Sequence, residues 1–329
     1  MPKKKLPEEK IFSYIAILVT TLIWGAAGPI IKYTLTYIPP LTFLFLRFLI
    51  VCIILLPYLF IELRRTKINK KDYLNFFLLG LFAQTSILLI FLGLKYTTAL
   101  DAAIIGIMGP LLSIIAGYYF YKEKIDKNLK TGLVLSLIGT IFIVTEPAFT
   151  GNGMVAIEHR IFGNLLILLY HFFWVIYIIW SKMSMGERST LLKKTLSFVH
   201  LKPMTKKYSP TLITAITFYV GLFTLAPLAI IENYNSTSYF DILSIDPRGL
   251  LGLLYMALLS SIVAYMCYQW ALERLKVSTI AFFGYLGPIF TVPVAYILLG
   301  EIPNEIMLIG AVFIATGVYI AEKVTTKLP

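Results

Sequence analysis

Apolar runs long enough to cross a bilayer follow one another along almost the whole chain, separated by short polar or basic segments. A bilayer core takes about 20 residues of helix, and ten such runs can be drawn: 12–31, 42–61, 74–94, 102–121, 129–145, 161–181, 210–231, 249–272, 277–300 and 306–321. The fifth and tenth are the shortest, and each closes a group of five. The pattern predicts an all-α membrane protein with ten transmembrane helices.

The two groups of five share a sequence. One constant offset superimposes Leu94 on Leu272, Gly106 on Gly284, Gly109 on Gly287, Pro110 on Pro288, Tyr118 on Tyr296 and Glu123 on Glu301, and the register continues through Gly132 on Gly310 and Gly139 on Gly317. A G-x-x-G-P core followed by Glu and then by two glycines seven apart marks an internal duplication. The expected units are residues 1–147 and 148–329. Five is odd, so the second unit enters the membrane from the side opposite the first. Such inverted repeats characterise carriers that bind substrate near the midplane, between the halves.

Composition agrees. Of 329 residues, 58% are hydrophobic and 14% charged, beyond the apolar share of a soluble domain. Cys52 and Cys267 both fall inside apolar runs, which gives neither a disulfide framework nor a CxxC metal site. The formal net charge of +12 lies in loops, so it speaks for membrane topology and not for nucleic acid. Lys3, Lys4, Lys5 and Lys10 precede a run of residues 12–31 that outlasts the about 7–15 apolar residues of a secretory signal, and this run reads as a retained span. With the N-terminus inside, the inner segments collect Arg64, Arg65, Lys67, Lys70 and Lys71, then Lys122, Lys124, Lys127 and Lys130, then the basic insert 185–209. The outside keeps Lys32, Lys95, Arg160 and Arg248. The positive-inside rule then predicts a multi-pass protein of the cell membrane with both termini cytoplasmic. The insert reads as a solvated loop or surface helix in preference to a lipid-headgroup site.

Ionisable groups inside spans are costly and mark candidate sites. Arg47, in span 2 near the outer side, faces either a cavity or the interface by snorkelling. His171 lies midway along span 6 among aromatics and is a candidate contact for substrate or for a coupled proton. Gln84 and Gln269 need hydrogen-bond partners, with interhelical bonding favoured. Trp24, Trp174, Tyr265, Tyr268, Trp270 and Tyr285 offer aromatic wall. Gly109-Pro110 and Gly287-Pro288 should bend spans 4 and 9 and serve as gating elements. Glu123 and Glu301 close their spans and are expected to bond the N-terminal amides of the next helix. Lys32, Lys95, Asp101 and Glu273 sit at span ends, where solvation is cheap. No metal cluster, phosphate loop, nucleophile triad or dinucleotide fingerprint appears, so no cofactor is expected. His159 and His200 fall in loops.

With WGAAGPIIK at 24–32, PPLTFLFLRF at 39–48 and the doubled Gly-Pro, Glu, Gly pattern, the chain resembles the EamA-type transporters of the drug/metabolite transporter superfamily. The resemblance spans nearly the whole chain. It implies two inverted five-helix repeats around a cavity lined by spans 1, 3, 4, 6, 8 and 9, with spans 5 and 10 peripheral. It also implies secondary transport of small metabolites, such as amino acids or drugs, with export favoured. Trp24, Gly25, Lys32, Arg47, Pro110, Glu123, Pro288 and Glu301 match its motif positions. The second half departs from the pattern, having Val175 after Trp174 and no counterpart of Arg47 in span 7. Alternatives are a polytopic enzyme acting on lipid, whose clustered acidic or histidine groups are missing from these spans, and a non-transporting scaffold. The expected partners are a small-molecule substrate and the bilayer, with proton coupling as a candidate and oligomeric state left open.

Overall fold

Several helices start where the sequence places proline or a side-chain oxygen in the first turn. Pro40, Pro210 and Pro247 occupy positions that have no amide partner to lose, and Ser209 and Asp246 accept from the amides of Leu212 and Arg248 at 3.2 and 2.8 Å. The computed structural model describes residues 8–122, 127–150, 157–187, 189–198, 202–234 and 245–325. Among them the chain is helical, without strands: α1 Glu8–Thr34, α2 Pro40–Arg65, α3 Tyr73–Tyr96, α4 Ala99–Ile105, α5 Met108–Tyr121, α6 Lys127–Thr150, α7 Ile157–Ser184, α8 Thr190–Phe198, α9 Pro210–Asn233, α10 Pro247–Leu254, α11 Ala264–Arg274, α12 Val277–Gly284, α13 Gly287–Leu299 and α14 Glu305–Thr325. Glu123, Arg188 and His200 lie outside the described residues, as do parts of both long outer connectors.

Among the described residues seven helices are long and apolar enough to cross a membrane: Glu9–Thr34, Pro40–Arg65, Lys70–Tyr96, Ala99–Tyr121, Ile157–Ser184, Pro210–Asn233 and Pro247–Arg274. They correspond to expected spans 1–4 and 6–8. The other three expected spans are represented by shorter apolar helix, Lys130–Gly139, Gly287–Leu299 and Glu305–Gly317. Span 9 is represented by the part that follows the break between α12 and α13. The outward faces are apolar, with Phe12, Ile53, Phe172 and Phe223 each at least 60% exposed, which suits lipid rather than water.

Both Gly-Pro spans are interrupted. The break precedes the Gly-Pro pair instead of falling on it, so Pro110 and Pro288 stand in the first turn of α5 and α13, where a missing amide costs least. At the breaks the ladder tightens to three-residue steps, Ile107 to Ile104 and Gly109 to Gly106 at 3.1 Å, Leu286 to Phe283 at 3.0 Å and Ile289 to Leu286 at 3.1 Å. The two breaks also touch, since a Cβ on Gly284 would lie 2.7 Å from Pro110 Cγ.

Helices α6 and α14 pair with each other. A Cβ on Gly139 would stand 2.5 Å from the Gly310 carbonyl oxygen, and the Phe142 and Phe313 rings stack at 5.8 Å and 14°. Small residues let the backbones meet, the usual means of tight packing in lipid. α2 packs on α9, α3 on α7, and α1 on α11 and α13. Between α10 and α11 the helix widens into a π-helical segment, Tyr255–Val263, in the middle of what the apolar pattern read as one regular span.

The basic insert is folded onto the chain. In α8, Leu192 and Leu196 are buried while Lys193 and Lys194 face outward. The following segment docks on the α2–α3 connection through Asp72, which accepts from Thr205 N at 2.9 Å, Thr205 Oγ1 at 2.6 Å and Tyr208 Oη at 2.5 Å. Burial, together with this bond to Asp72, pushes the Tyr208 phenol up to about 12.

Candidate functional site

A cavity of about 200 Å³ lies where α1, α3, α4, α5, α7, α11, α12 and α13 converge. Its wall includes Trp24, His171, Trp174, Tyr268 and the two glycine-proline pairs, Gly109-Pro110 and Gly287-Pro288. These elements are spans 1, 3, 4, 6, 8 and 9. Their meeting depends on glycine, because a Cβ on Gly25 would stand 2.7 Å from Phe290 Cβ and 3.0 Å from the Gly287 carbonyl oxygen. Thr291 Oγ1 donates to the Gly25 carbonyl across the same contact at 2.6 Å.

The aromatic part of the wall is one cluster. The Trp24 and Trp174 rings meet edge to face at 5.5 Å and 83°, Trp24 contacts Tyr268 at 5.1 Å, and Trp174 contacts Tyr268 at 5.4 Å. Tyr265 backs this wall at 5.2 Å from Trp24 and 5.9 Å from Trp174 without lining the cavity. The Trp24 indole donates to the Ser260 carbonyl at 3.0 Å, so the π-helical segment fixes the orientation of one cavity ring. π-helical turns recur at functional sites; nothing in the apolar period marks this one.

The polar part is sparse. Thr20, Thr21, Ser113 and Thr291 line the cavity, and each donates its hydroxyl to a backbone carbonyl, at 2.9, 2.9, 2.8 and 2.6 Å. His171 differs. Its side chain is 5% exposed, both ring nitrogens are buried without a hydrogen-bond partner, and a Cβ on Gly109 would lie 2.5 Å from its Nδ1. The imidazole therefore rests directly on the first turn of α5. No Asp, Glu, Lys or Arg lines the cavity among the described residues.

Other expected contacts fall elsewhere. Arg47 neither lines the cavity nor snorkels. It is 3% exposed, its Nε donates to Ser261 Oγ at 2.6 Å, and its guanidinium carbon lies 5.7 Å from the Phe91 ring centre. Adjacent residues of the π-helical segment, Ser260 and Ser261, thus hold Trp24 and Arg47. Gln84 accepts from Thr224 Oγ1 at 2.8 Å, and Gln269 donates to Tyr177 and, at 3.3 Å, to Ser181. Both glutamines tie helices together. Tyr285 sits at the break between α12 and α13, packed on a small cluster that includes Ala99 and Leu100. Trp270 is 42% exposed, with the Arg274 guanidinium 3.4 Å over its ring.

Of the charged residues at the span ends, Lys95 is exposed as expected, whereas Asp101 is not. Asp101 is fully buried and takes a bidentate pair from Arg160, Nε at 2.5 Å and Nη2 at 2.8 Å, with Thr97 Oγ1 donating at 2.9 Å. Glu301 accepts helix-terminal amides, as expected in kind, but from Ala99 and Leu100 of α4 at 3.1 and 2.9 Å, not from the helix that follows it. Thr98 Oγ1 takes the third amide, that of Asp101, at 2.9 Å. Burial raises the Glu301 carboxyl, and the two amides only partly offset that effect.

Sequence comparisons agree with this geometry. The profile of the EamA-like transporter family matches residues 11–145 and 194–322. An uncharacterized transporter of Archaeoglobus fulgidus is 27% identical over 94% of this chain and 96% of its own length. A "probable amino-acid metabolite efflux pump" of Escherichia coli is 24% identical over 93% of each chain, and a protein of the same name from Salmonella typhimurium is 25% identical over 93% of each. A solved crystal structure, 16% identical, covers 96% of this chain and 98% of that one at a TM-score of 0.59, which shows a shared fold.

Proposed function

The chain belongs to the EamA-like transporter family, and from that premise we propose that this multi-pass membrane protein exports a small metabolite by secondary active transport, using alternating access. The observation that carries the reading is the cavity, lined by the two broken spans and by Trp24, Trp174, Tyr268 and His171. In this reading residues 1–147 and 148–329 are inverted repeats that rock about the cavity. The interruptions before Gly109-Pro110 and Gly287-Pro288 are where spans 4 and 9 bend as one side closes and the other opens. The relatives named as amino-acid metabolite efflux pumps support amino-acid derivatives as cargo and export as direction. Both termini are assigned to the cytoplasm, which keeps Lys193 and Lys194 of α8 on that side.

A proton that travels with the substrate is assigned to His171, the one imidazole lining the cavity among the described residues. The titratable groups sharing that wall are Tyr170 and Tyr268. Flux in proteoliposomes tests the transport reading. Uptake or exchange of an amino-acid derivative supports it, and absence of both flux and binding across a metabolite panel defeats it. For coupling, a His171→Gln variant whose flux keeps the wild-type pH profile removes the histidine from the proton path.

A further inference from the structure

Arg47 is a buried charge that meets no opposite charge among the described residues. We infer that it binds, together with the Tyr265 hydroxyl, a small monovalent anion of the halide class, in a site behind the aromatic wall of the cavity.

A guanidinium keeps its charge at any working pH, and only 3% of Arg47 is accessible. Its Nε donates to one neutral hydroxyl, Ser261 Oγ, and the guanidinium carbon lies 5.7 and 6.0 Å from the ring centres of Phe91 and Phe48. Among the described residues its two terminal nitrogens make no hydrogen bond, and no Asp or Glu pairs with them. Glu232, at the start of α2, spends its oxygens on Leu41 N, Thr42 N and Thr42 Oγ1. A charge taken out of water recovers its desolvation only from an opposite charge and filled hydrogen bonds, and aromatic faces supply only part of that.

Tyr265 completes the donor set. It lies four residues beyond Ser261, on the same helix face, and is coupled electrostatically to Arg47. Phe218 joins their surroundings, packing on the Tyr265 ring at 5.2 Å and on the Phe48 ring at 5.0 Å. The Tyr265 side chain is buried, and its hydroxyl makes no hydrogen bond among the described residues. Neither this oxygen nor the Arg47 terminal nitrogens are among the wholly enclosed, unpartnered polar atoms, so all three border open space. Ser261 spends its own proton on the Met256 carbonyl at 2.8 Å, which leaves the open donors to Arg47 and Tyr265. Donors gathered around one positive charge select an anion, and one guanidinium balances a single negative charge. Phe48, Phe91 and Phe218, each at most 1% exposed, pack closely around the group and favour a single-atom ion.

Thermal unfolding of the purified full-length protein in halide-free buffer tests this. Sodium chloride should raise the melting temperature saturably, by about 2 °C or more, because the ion binds the folded state alone. Sodium bromide should do the same, whereas sodium gluconate at equal concentration, whose anion is too large to enter, should not. Arg47→Met should abolish the chloride effect. Tyr265→Phe keeps the ring and removes one donor to the anion, and should raise the chloride midpoint about tenfold. No rise with chloride, an equal rise with gluconate, or a chloride effect kept in Arg47→Met overturns the site. Should Arg47→Met fail to fold, Tyr265→Phe decides alone, and an unchanged midpoint there overturns the site as well. Flux enters none of these outcomes, so the anion site and the transport reading fail separately.

Discussion

Lys32 and Lys182 make the same pair of bonds in the two halves of the molecule. Lys32 Nζ donates to the carbonyls of Leu94 and Thr97 at 3.2 and 2.5 Å, and Lys182 Nζ to those of Leu272 and Leu275 at 3.2 and 3.0 Å. The offset that carries Leu94 onto Leu272 also carries Thr97 onto Leu275. Each lysine comes from the first helix of its half and closes the end of a later one, where the last carbonyls lack helical partners.

Replacing either lysine should therefore have the same effect. Lys32→Met and Lys182→Met each remove a charged donor from two carbonyls, and each is expected to cost about 1.5–3 kcal/mol. Thermal unfolding of the detergent-solubilised protein measures this. A loss confined to one of the two would contradict the equivalence.

Gly109 and Gly287 occupy equivalent positions with unequal surroundings. A methyl on Gly109 would strike the His171 imidazole at 2.5 Å, whereas one on Gly287 meets nothing within 4 Å. Gly109→Ala should displace His171 and reduce flux about tenfold or more, the loss that follows a small misplacement of a binding group. Gly287→Ala should retain most of it. Parallel flux measurements on the two variants decide the matter, and equal effects would mean that His171 does not bear on transport.

The Asp101–Arg160 pair is buried, and breaking one side leaves an unpaired charge. Asp101→Asn should destabilise the protein by about 3–5 kcal/mol. The double variant Asp101→Leu with Arg160→Met should recover much of that loss, because no charge remains to be solvated. Unfolding of both variants checks this, and a double variant no better than the single would show that the bidentate geometry itself matters.

Glu301 gives a pH dependence of fixed sign. Its carboxyl is raised from 4.5 by burial, so the folded protein holds this proton more firmly than the unfolded chain does. The corresponding stability is present below pH about 4.5 and is lost as pH rises through the folded value. The melting temperature of Glu301→Gln should fall less than that of the wild type between pH 4 and 7. Parallel curves for the two proteins would show that Glu301 does not titrate differently on folding.

The elements and the duplication were readable along the chain because apolar length and glycine-proline spacing are local properties. Trp24, Trp174 and His171 could be singled out as aromatic or ionisable groups inside apolar runs, and these three do meet at one cavity. Arg47, Gln84 and Gln269 carry the same local signal yet bond to Ser261, Thr224 and Tyr177, since polar groups in lipid must find partners whether or not a ligand is concerned. The π-helical segment and the Asp101–Arg160 pair left no mark, because neither a widened turn nor a long-range ion pair changes the hydrophobic period.

By itself the sequence determined that this chain is a helical membrane protein built from a repeated unit, since burial in lipid demands long apolar helices and a duplication preserves its own spacing. Only the tertiary structure decided which polar groups face the cavity and which brace the helices. That choice depends on how closely glycine lets distant parts of the chain approach, the backbone of α13 at Gly25 and the His171 ring at Gly109, and no local pattern encodes such distances.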